Sequence, residues 1–138
     1  MKNPTPFTYK TFVHLDQTDA IGRIFFNQIF KIAYDASEAW LLHNGLPVAT
    51  IVKNKDYLTP IVHAQTDISA PLTVGDEVLV RLTVERIGQT SFTLAYLIED
   101  NKGRTVATVK TVHVTISKAS GEKINLPPCL LAVLKTAV

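Results

Sequence analysis

The sequence predicts an α+β fold in which a curved antiparallel β-sheet wraps around one long central α-helix. Three observations carry this reading. Asn27 to His43 repeats its apolar residues at helical spacing with no proline or glycine between them. After Tyr57 the chain consists of alternating runs separated by turn formers. With 138 residues, 46% of them apolar, it can bury a continuous core without disulfides or metal. A sheet with one apolar face must pack on something, and the helix is the long element available. Residues 1–138 read as one domain, without repeats or low-complexity segments.

The first element is a strand from Phe7 to Leu15, with Phe7, Tyr9, Thr11, Val13 and Leu15 on one side. Asp16 to Gly22 supplies turn formers and a glycine, so the chain leaves the sheet in a tight loop. The helix follows, carrying Ile29, Ile32, Ala33, Ala36 and Trp40, with Asn27 placed as its N-cap. Asn44-Gly45 and then Pro47 end it. Val52 to Asp56 reads as a mobile stretch, and strands are expected over Tyr57–Ala70, Glu77–Ile87, Ser91–Glu99 and Arg104–Ile116. Val74-Gly75-Asp76, Gly88-Gln89-Thr90 and Asp100-Asn101-Lys102-Gly103 are the turns between them. Val78, Val80, Leu82 and Val84 share one face, as do Phe92, Leu94, Tyr96 and Ile98, and then Val112, Val114 and Ile116. A short C-terminal helix after Pro127-Pro128 carries Leu130, Leu131, Val133 and Leu134.

Charged residues make up 19% of the chain, against about 25% in an average domain. That deficit fits a surface covered by another copy. The cations are scattered through the sequence, which gives nucleic-acid binding little electrostatic support. Cys129 is the one cysteine, which excludes an internal disulfide framework and a cysteine-built zinc cage, and the histidines lack metal-ligand spacing. No apolar run is of signal-peptide or membrane-spanning type, so a cytoplasmic protein without membrane attachment is expected.

Chemistry points first to Asp19, in a loop a few residues before the helix. A helix N-terminus presents unpaired N–H groups that can stabilise an oxyanion, and a nearby carboxylate can attack a carbonyl or activate water. The same residue also reads as the aspartate of an Asx turn, and Gly22 as a turn glycine whose backbone lets a ligand approach closely. His63, Gln65 and Asp67 alternate onto one strand face. His63 could bond a substrate hydroxyl or sit at a subunit interface. His14, His43 and His113 are weaker candidates. Arg86, Gly88, Thr90 and Ser91 offer groups that suit phosphates, and Arg86 reads equally as a solvated edge charge.

The run Thr18-Asp19-Ala20-Ile21-Gly22-Arg23-Ile24-Phe25-Phe26-Asn27-Gln28 resembles the Asp-x-x-Gly-x-Val-aromatic signature of hotdog-fold acyl-CoA thioesterases of the 4-hydroxybenzoyl-CoA type. Glu38-Ala39-Trp40-Leu41, Thr59-Pro60-Ile61-Val62, Asp67 to Pro71 and Gly75 to Val78 follow in that family's order, so the resemblance spans about Phe7 to Ile116. It implies a hotdog fold and an acyl-CoA substrate, with no cofactor or metal. Asp19 would be the catalytic carboxylate, and the Phe26 N–H would polarise the thioester carbonyl. Gly22, Thr59 and His63 would lie on the acyl side, with Arg86, Gly88, Thr90 and Ser91 near the CoA phosphates. Sites would lie between the subunits of a homodimer, paired further into a homotetramer. The family commonly has an acid two places before the catalytic aspartate, where this chain has Gln17. Phe25-Phe26-Asn27-Gln28 and Pro60-Ile61-Val62-His63-Ala64 are similar to the 1,4-dihydroxy-2-naphthoyl-CoA thioesterases, which implies an aromatic substrate and a place in menaquinone or phylloquinone biosynthesis. Two rivals remain: hydrolysis of short- or medium-chain aliphatic acyl-CoA, and acyl-CoA binding without turnover.

Overall fold

The computed structural model describes residues 6–138; the first five, part of the N-terminal stretch considered above for a targeting signal, lie outside the described residues. Five strands form one antiparallel sheet: β1 (Phe7–Phe12), β3 (Ile61–Ile68), β4 (Glu77–Ile87), β5 (Ser91–Asp100) and β6 (Thr105–Val114). Their order is β1-β4-β5-β6-β3, with β1 and β3 at the two edges. A separate two-stranded ribbon pairs β2 (Tyr57–Leu58) with β7 (Ile116–Ser117). The helices are α1 (Gln28–His43), α2 (Val48–Asn54) and α3 (Pro128–Leu134).

Alternation places Val78, Val80, Leu82 and Val84 of β4 and Phe92, Leu94, Tyr96 and Ile98 of β5 on the buried face. Ile29, Ile32, Ala33, Ala36 and Trp40 of α1 join the same core, with Leu130, Val133 and Leu134 of α3. Trp40 is only 2% exposed, and truncating a core aromatic of that size to alanine costs about 3–5 kcal/mol. Register slips interrupt the ladders at Ile61/His63, Val84/Arg86 and Ile98/Glu99, and such bulges bend the strands that carry them.

The end of α1 is built as its sequence predicts. Gly45 takes φ +76°, Leu46 N–H donates to Leu41 C=O at 2.9 Å and Gly45 N–H to Leu42 C=O at 3.1 Å, a glycine-terminated helix end. Its start differs from expectation. Asn27 has helical backbone angles and its side chain caps nothing, because the chain enters through a preceding turn in which Gln28 N–H donates to Phe25 C=O at 2.9 Å.

Four further corrections follow. Val52 to Asp56 was expected to be mobile, yet Val48–Asn54 is helical. Lys118 Nζ, far along the chain, donates to the carbonyls of Ile51 (3.0 Å), Val52 (2.5 Å) and Lys55 (2.5 Å) and closes that helix, a cap no local pattern reveals. Tyr57 to Ala70 is two strands in two sheets, broken at Pro60, which has no N–H for a ladder. The first strand stops at Phe12; Leu15 belongs to a 3₁₀ turn and is 75% exposed. Finally, β6 turns Val109, Thr111 and His113 inward, and Val112 is only partly buried. Two polar side chains thus occupy positions where the apolar set Val112, Val114 and Ile116 was expected. Among the described residues no helix is long and apolar enough to cross a membrane.

Candidate active site

The segment between β1 and α1 is held by its own backbone. Val13 N–H donates to Asp76 C=O and Gly75 N–H to Val13 C=O, and the Leu15–Gln17 turn is closed by His14 N–H donating to Gln17 Oε1 at 2.9 Å. Asp19 N–H then donates to Arg23 C=O at 2.8 Å, while Gly22 N–H donates to Asp19 C=O at 3.1 Å. Gly22 has φ +81°, a conformation that costs a residue with a Cβ roughly 1–2 kcal/mol. Val74 N–H and Ile24 N–H, bonded to Gly22 C=O and Leu72 C=O, lash the loop to the chain ahead of β4.

Within this frame Asp19 Oδ1 accepts from Ile21 N–H at 3.0 Å and from Arg23 N–H at 3.1 Å. Asp19 is thus the aspartate of an Asx turn: Oδ1 shapes the loop, and Oδ2 is bonded to nothing among the described residues. Phe25 N–H is used by Gln17 C=O at 2.9 Å, whereas the Phe26 N–H at the mouth of α1 has no acceptor among the described residues. The first turn of α1 contains no acid, so its partial positive charge is unneutralised there. Around the loop Ile21 is 76% and Phe26 62% exposed.

The other candidates lie elsewhere in the chain. His63 belongs to the β3 edge, opposite β1, and Thr59 lies in the link between β2 and β3. His63 is exposed and its Nε2 lies 3.1 Å from Gln65 Oε1. Every residue of β3 except the half-buried Thr66 is exposed, so both faces of this edge strand are open. Arg86 is exposed, and no ion pair engages it among the described residues. In the β4–β5 turn, Gly88 N–H donates to Ser91 C=O at 2.7 Å, and a Cβ on Gly88 would stand 3.1 Å from Ser91 O and Oγ. The carbonyls of Gln89 and Thr90 accept from Leu126 N–H and Thr115 N–H. A single chain thus groups Asp19, Gly22 and Phe26 in one loop, while His63 sits on the β3 edge strand and Thr59 in the link before it.

Sequence reasoning passed over one cluster. His113, weighed below His63, is only 5% exposed. Its Nε2 lies 2.8 Å from Thr111 Oγ1, its Nδ1 lies 3.3 Å from Thr59 C=O, and Thr111 Oγ1 is 3.1 Å from the Tyr96 hydroxyl. Burial lowers the imidazole pKa to about 4, against a smaller opposing effect of the Thr59 carbonyl, and burial pushes the Tyr96 phenol up to about 12. The available signal was the i, i+2 spacing of Val109, Thr111 and His113, read with the Phe92–His113 pairing that a β5–β6 hairpin enforces.

The chain is similar to known proteins over nearly all its length. The model of the thioesterase-like superfamily matches residues 13–134. A 1,4-dihydroxy-2-naphthoyl-CoA hydrolase from Synechocystis sp. is 34% identical over 122 residues, 88% of each chain. One from Nostoc punctiforme is 32% identical over 94% of this chain and 87% of its own. The crystal structure of a 1,4-dihydroxy-2-naphthoyl-CoA thioesterase from Synechocystis superposes with a TM-score of 0.89 at 32% identity, covering 95% of this chain and 96% of the other. The α+β hotdog architecture expected from the sequence is shared with that structure.

Proposed function

From the premise that the chain belongs to the thioesterase-like superfamily, we propose that it hydrolyses an aromatic acyl-CoA, 1,4-dihydroxy-2-naphthoyl-CoA being the best candidate, to the free acid and CoA. The observation that carries this reading is the Asp19 turn: a carboxylate with one oxygen spent on loop geometry and the other free, a short way before an open helix N-terminus. The relatives named for that substrate support the choice of acyl group. In this role one domain serves a step of quinone biosynthesis.

The thioester carbonyl oxygen accepts from the Phe26 N–H, where developing negative charge also meets the α1 dipole. Asp19 Oδ2 then acts in one of two ways. As a nucleophile it bonds the carbonyl carbon, the C–S bond breaks, CoA leaves as a thiolate that takes up a proton, and water splits the mixed anhydride to regenerate the carboxylate. As a general base it removes a proton from water while that water attacks, and the same C–S bond breaks. Gly22 keeps the loop backbone close to the thioester. Arg86, with the backbone and hydroxyls of Gly88, Thr90 and Ser91, meets the phosphates of CoA.

A homodimer completes the site in this proposal. The open β3 edge pairs with a second copy, bringing His63 to a neighbouring Asp19 loop, and the exposed Ile21 and Phe26 are covered in the process. Two dimers make the tetramer. The exposed apolar set and the low charged fraction support both steps.

The test is thiol release from a panel of CoA thioesters, 1,4-dihydroxy-2-naphthoyl, 4-hydroxybenzoyl, benzoyl and aliphatic, with wild type and Asp19→Asn. Asparagine retains an Oδ1 able to accept from Ile21 and Arg23, so the loop survives while the base or nucleophile is lost. A fall of at least about 10²-fold is expected. Full turnover by Asp19→Asn would sink the mechanism; preference for aliphatic chains would sink the substrate assignment.

A further inference from the structure

A cavity of about 250 Å³ lies between α1, α2 and the inner face of β5 and β6. Its walls include Tyr34, Trp40 and Phe92, flat faces that suit a flat ligand. One edge is polar. There His113 stacks on Phe92, with ring centroids 4.7 Å apart and planes 5° from parallel. The Thr59 carbonyl can only accept, so the hydrogen-bond network assigns the imidazole hydrogen to Nδ1 and leaves Nε2 to accept from Thr111. Tyr96 O–H in turn donates to Thr111. The relay runs one way, from Tyr96 through Thr111 to an N–H at the cavity edge. Its last contact, at 3.3 Å, is longer than the usual N–H···O range of about 2.7–3.2 Å.

Two buried polar side chains and a tyrosine hydroxyl in an apolar core are expensive unless fully bonded, and here they end on a long bond facing open space. We propose that this cavity takes the ring of the acyl group and that His113 Nδ1–H donates to an oxygen substituent on that ring in place of its long contact to Thr59. The proposal rests on the aromatic thioester reading above. The volume is slightly below the roughly 300–1,000 Å³ of sites for drug-sized ligands, so it admits a ring system and excludes the nucleotide of CoA. Tyr34 stands eight residues after Phe26, about 12 Å along the helix axis, and helical side chains lean back toward the N-terminus. A ring attached to a carbonyl at Phe26 therefore runs along α1 toward Tyr34, whose hydroxyl has no partner among the described residues. His113 is in this sense the specificity-determining residue: a ring without the oxygen leaves the buried donor on its poor contact.

Trp40 is the one tryptophan of the chain and lines the cavity, so its fluorescence reports ring binding without turnover. The probes are the free acids 4-hydroxy-2-naphthoate and 2-naphthoate, titrated into wild type, His113→Phe and His113→Gln. Wild type is expected to bind the hydroxylated probe about tenfold more tightly, the worth of one hydrogen bond. His113→Phe binds both alike, and His113→Gln, with an amide donor, recovers part of the preference. The kcat/KM ratio of the matching CoA thioesters changes in parallel. Should His113→Phe not fold, long-range proton–nitrogen spectra of wild type decide: the His113 signals move with 4-hydroxy-2-naphthoate and stay put with 2-naphthoate. Silence of Trp40 toward both probes, unmoved His113 signals, or an undiminished preference in a folded His113→Phe overturns the proposal. If that happens while Asp19-dependent hydrolysis of naphthoyl thioesters persists, the ring site falls and the hydrolase stands. If the His113-dependent preference holds and no thioester is cleaved, the hydrolase falls and the ring site stands.

Discussion

Replacing His113 by phenylalanine should change how stability responds to acid. In the folded chain burial holds the imidazole at about 4, against 6.5 in its ordinary state. Between these values the unfolded chain binds a proton that the folded chain does not, so stability falls as the pH is lowered. The contribution is intact above about pH 6.5 and is lost progressively down to about 4. A gap of about 2.5 pKa units at 1.36 kcal/mol each amounts to about 3 kcal/mol in all, of which about 2 kcal/mol is gone by pH 5. Phenylalanine keeps the stacked ring and removes the titration, at a pH-independent cost of about 1–3 kcal/mol for the acceptor that the Thr111 hydroxyl loses, its contact with Tyr96 remaining. Urea unfolding of both proteins, at one fixed protein concentration between pH 4.5 and 7.5, measures the difference. With a urea slope of about 1–3 kcal/mol per molar, the gap between the two midpoints should narrow by about 1 M on going from pH 7.5 to pH 5. All other titrating groups are common to both chains and cancel. Midpoints that move in parallel across this window refute the reasoning, since they mean that residue 113 exchanges no proton on unfolding.

Lys118→Met removes the three-carbonyl cap of α2 and should cost about 1–2 kcal/mol, discounted for the exposure of the amine; amide exchange at Ile51 to Lys55 should quicken more than in the sheet. Gly22→Ala meets open space, with Val74 Cγ1 at 3.7 Å, but keeps φ +81°. Urea unfolding should show a loss of about 1–2 kcal/mol from backbone strain alone, and recovery with Gly22→Asn would support that cause. Arg86→Ala should raise KM for CoA thioesters several-fold, with kcat unchanged and with less sensitivity to salt, if its charge meets phosphate.

Elements governed by local rules were legible in the sequence. Clean alternation in β4 and β5, the Asp100–Gly103 hairpin and the glycine-terminated end of α1 each obey a rule spanning a few residues, and the Asp19 turn is written in four. Elements closed by distant partners were not. The helicity of Val48–Asn54 depends on an amine 63 to 67 residues away. The inward face of β6 was misjudged because Thr111 and His113 look like solvent-facing residues until Tyr96 and Thr59 are seen to bond them. The same limit governs the candidate residues: Asp19, Gly22 and Phe26 share one loop, but no local pattern shows that His63 sits on the opposite sheet edge.

The β4–β5 turn has a consequence for handling the protein. Gln89 and Thr90 give their carbonyls to Leu126 and Thr115, so the strap leading to the C-terminal helix is moored to the loop assigned to CoA. On that proposed assignment thermodynamic linkage between the two is symmetric: whatever loosens the tail should weaken nucleotide affinity, and nucleotide should protect the tail from proteases. A fusion tag or truncation after Pro127 therefore acts on the loop proposed to meet the nucleotide, and limited proteolysis with and without CoA tests that assignment.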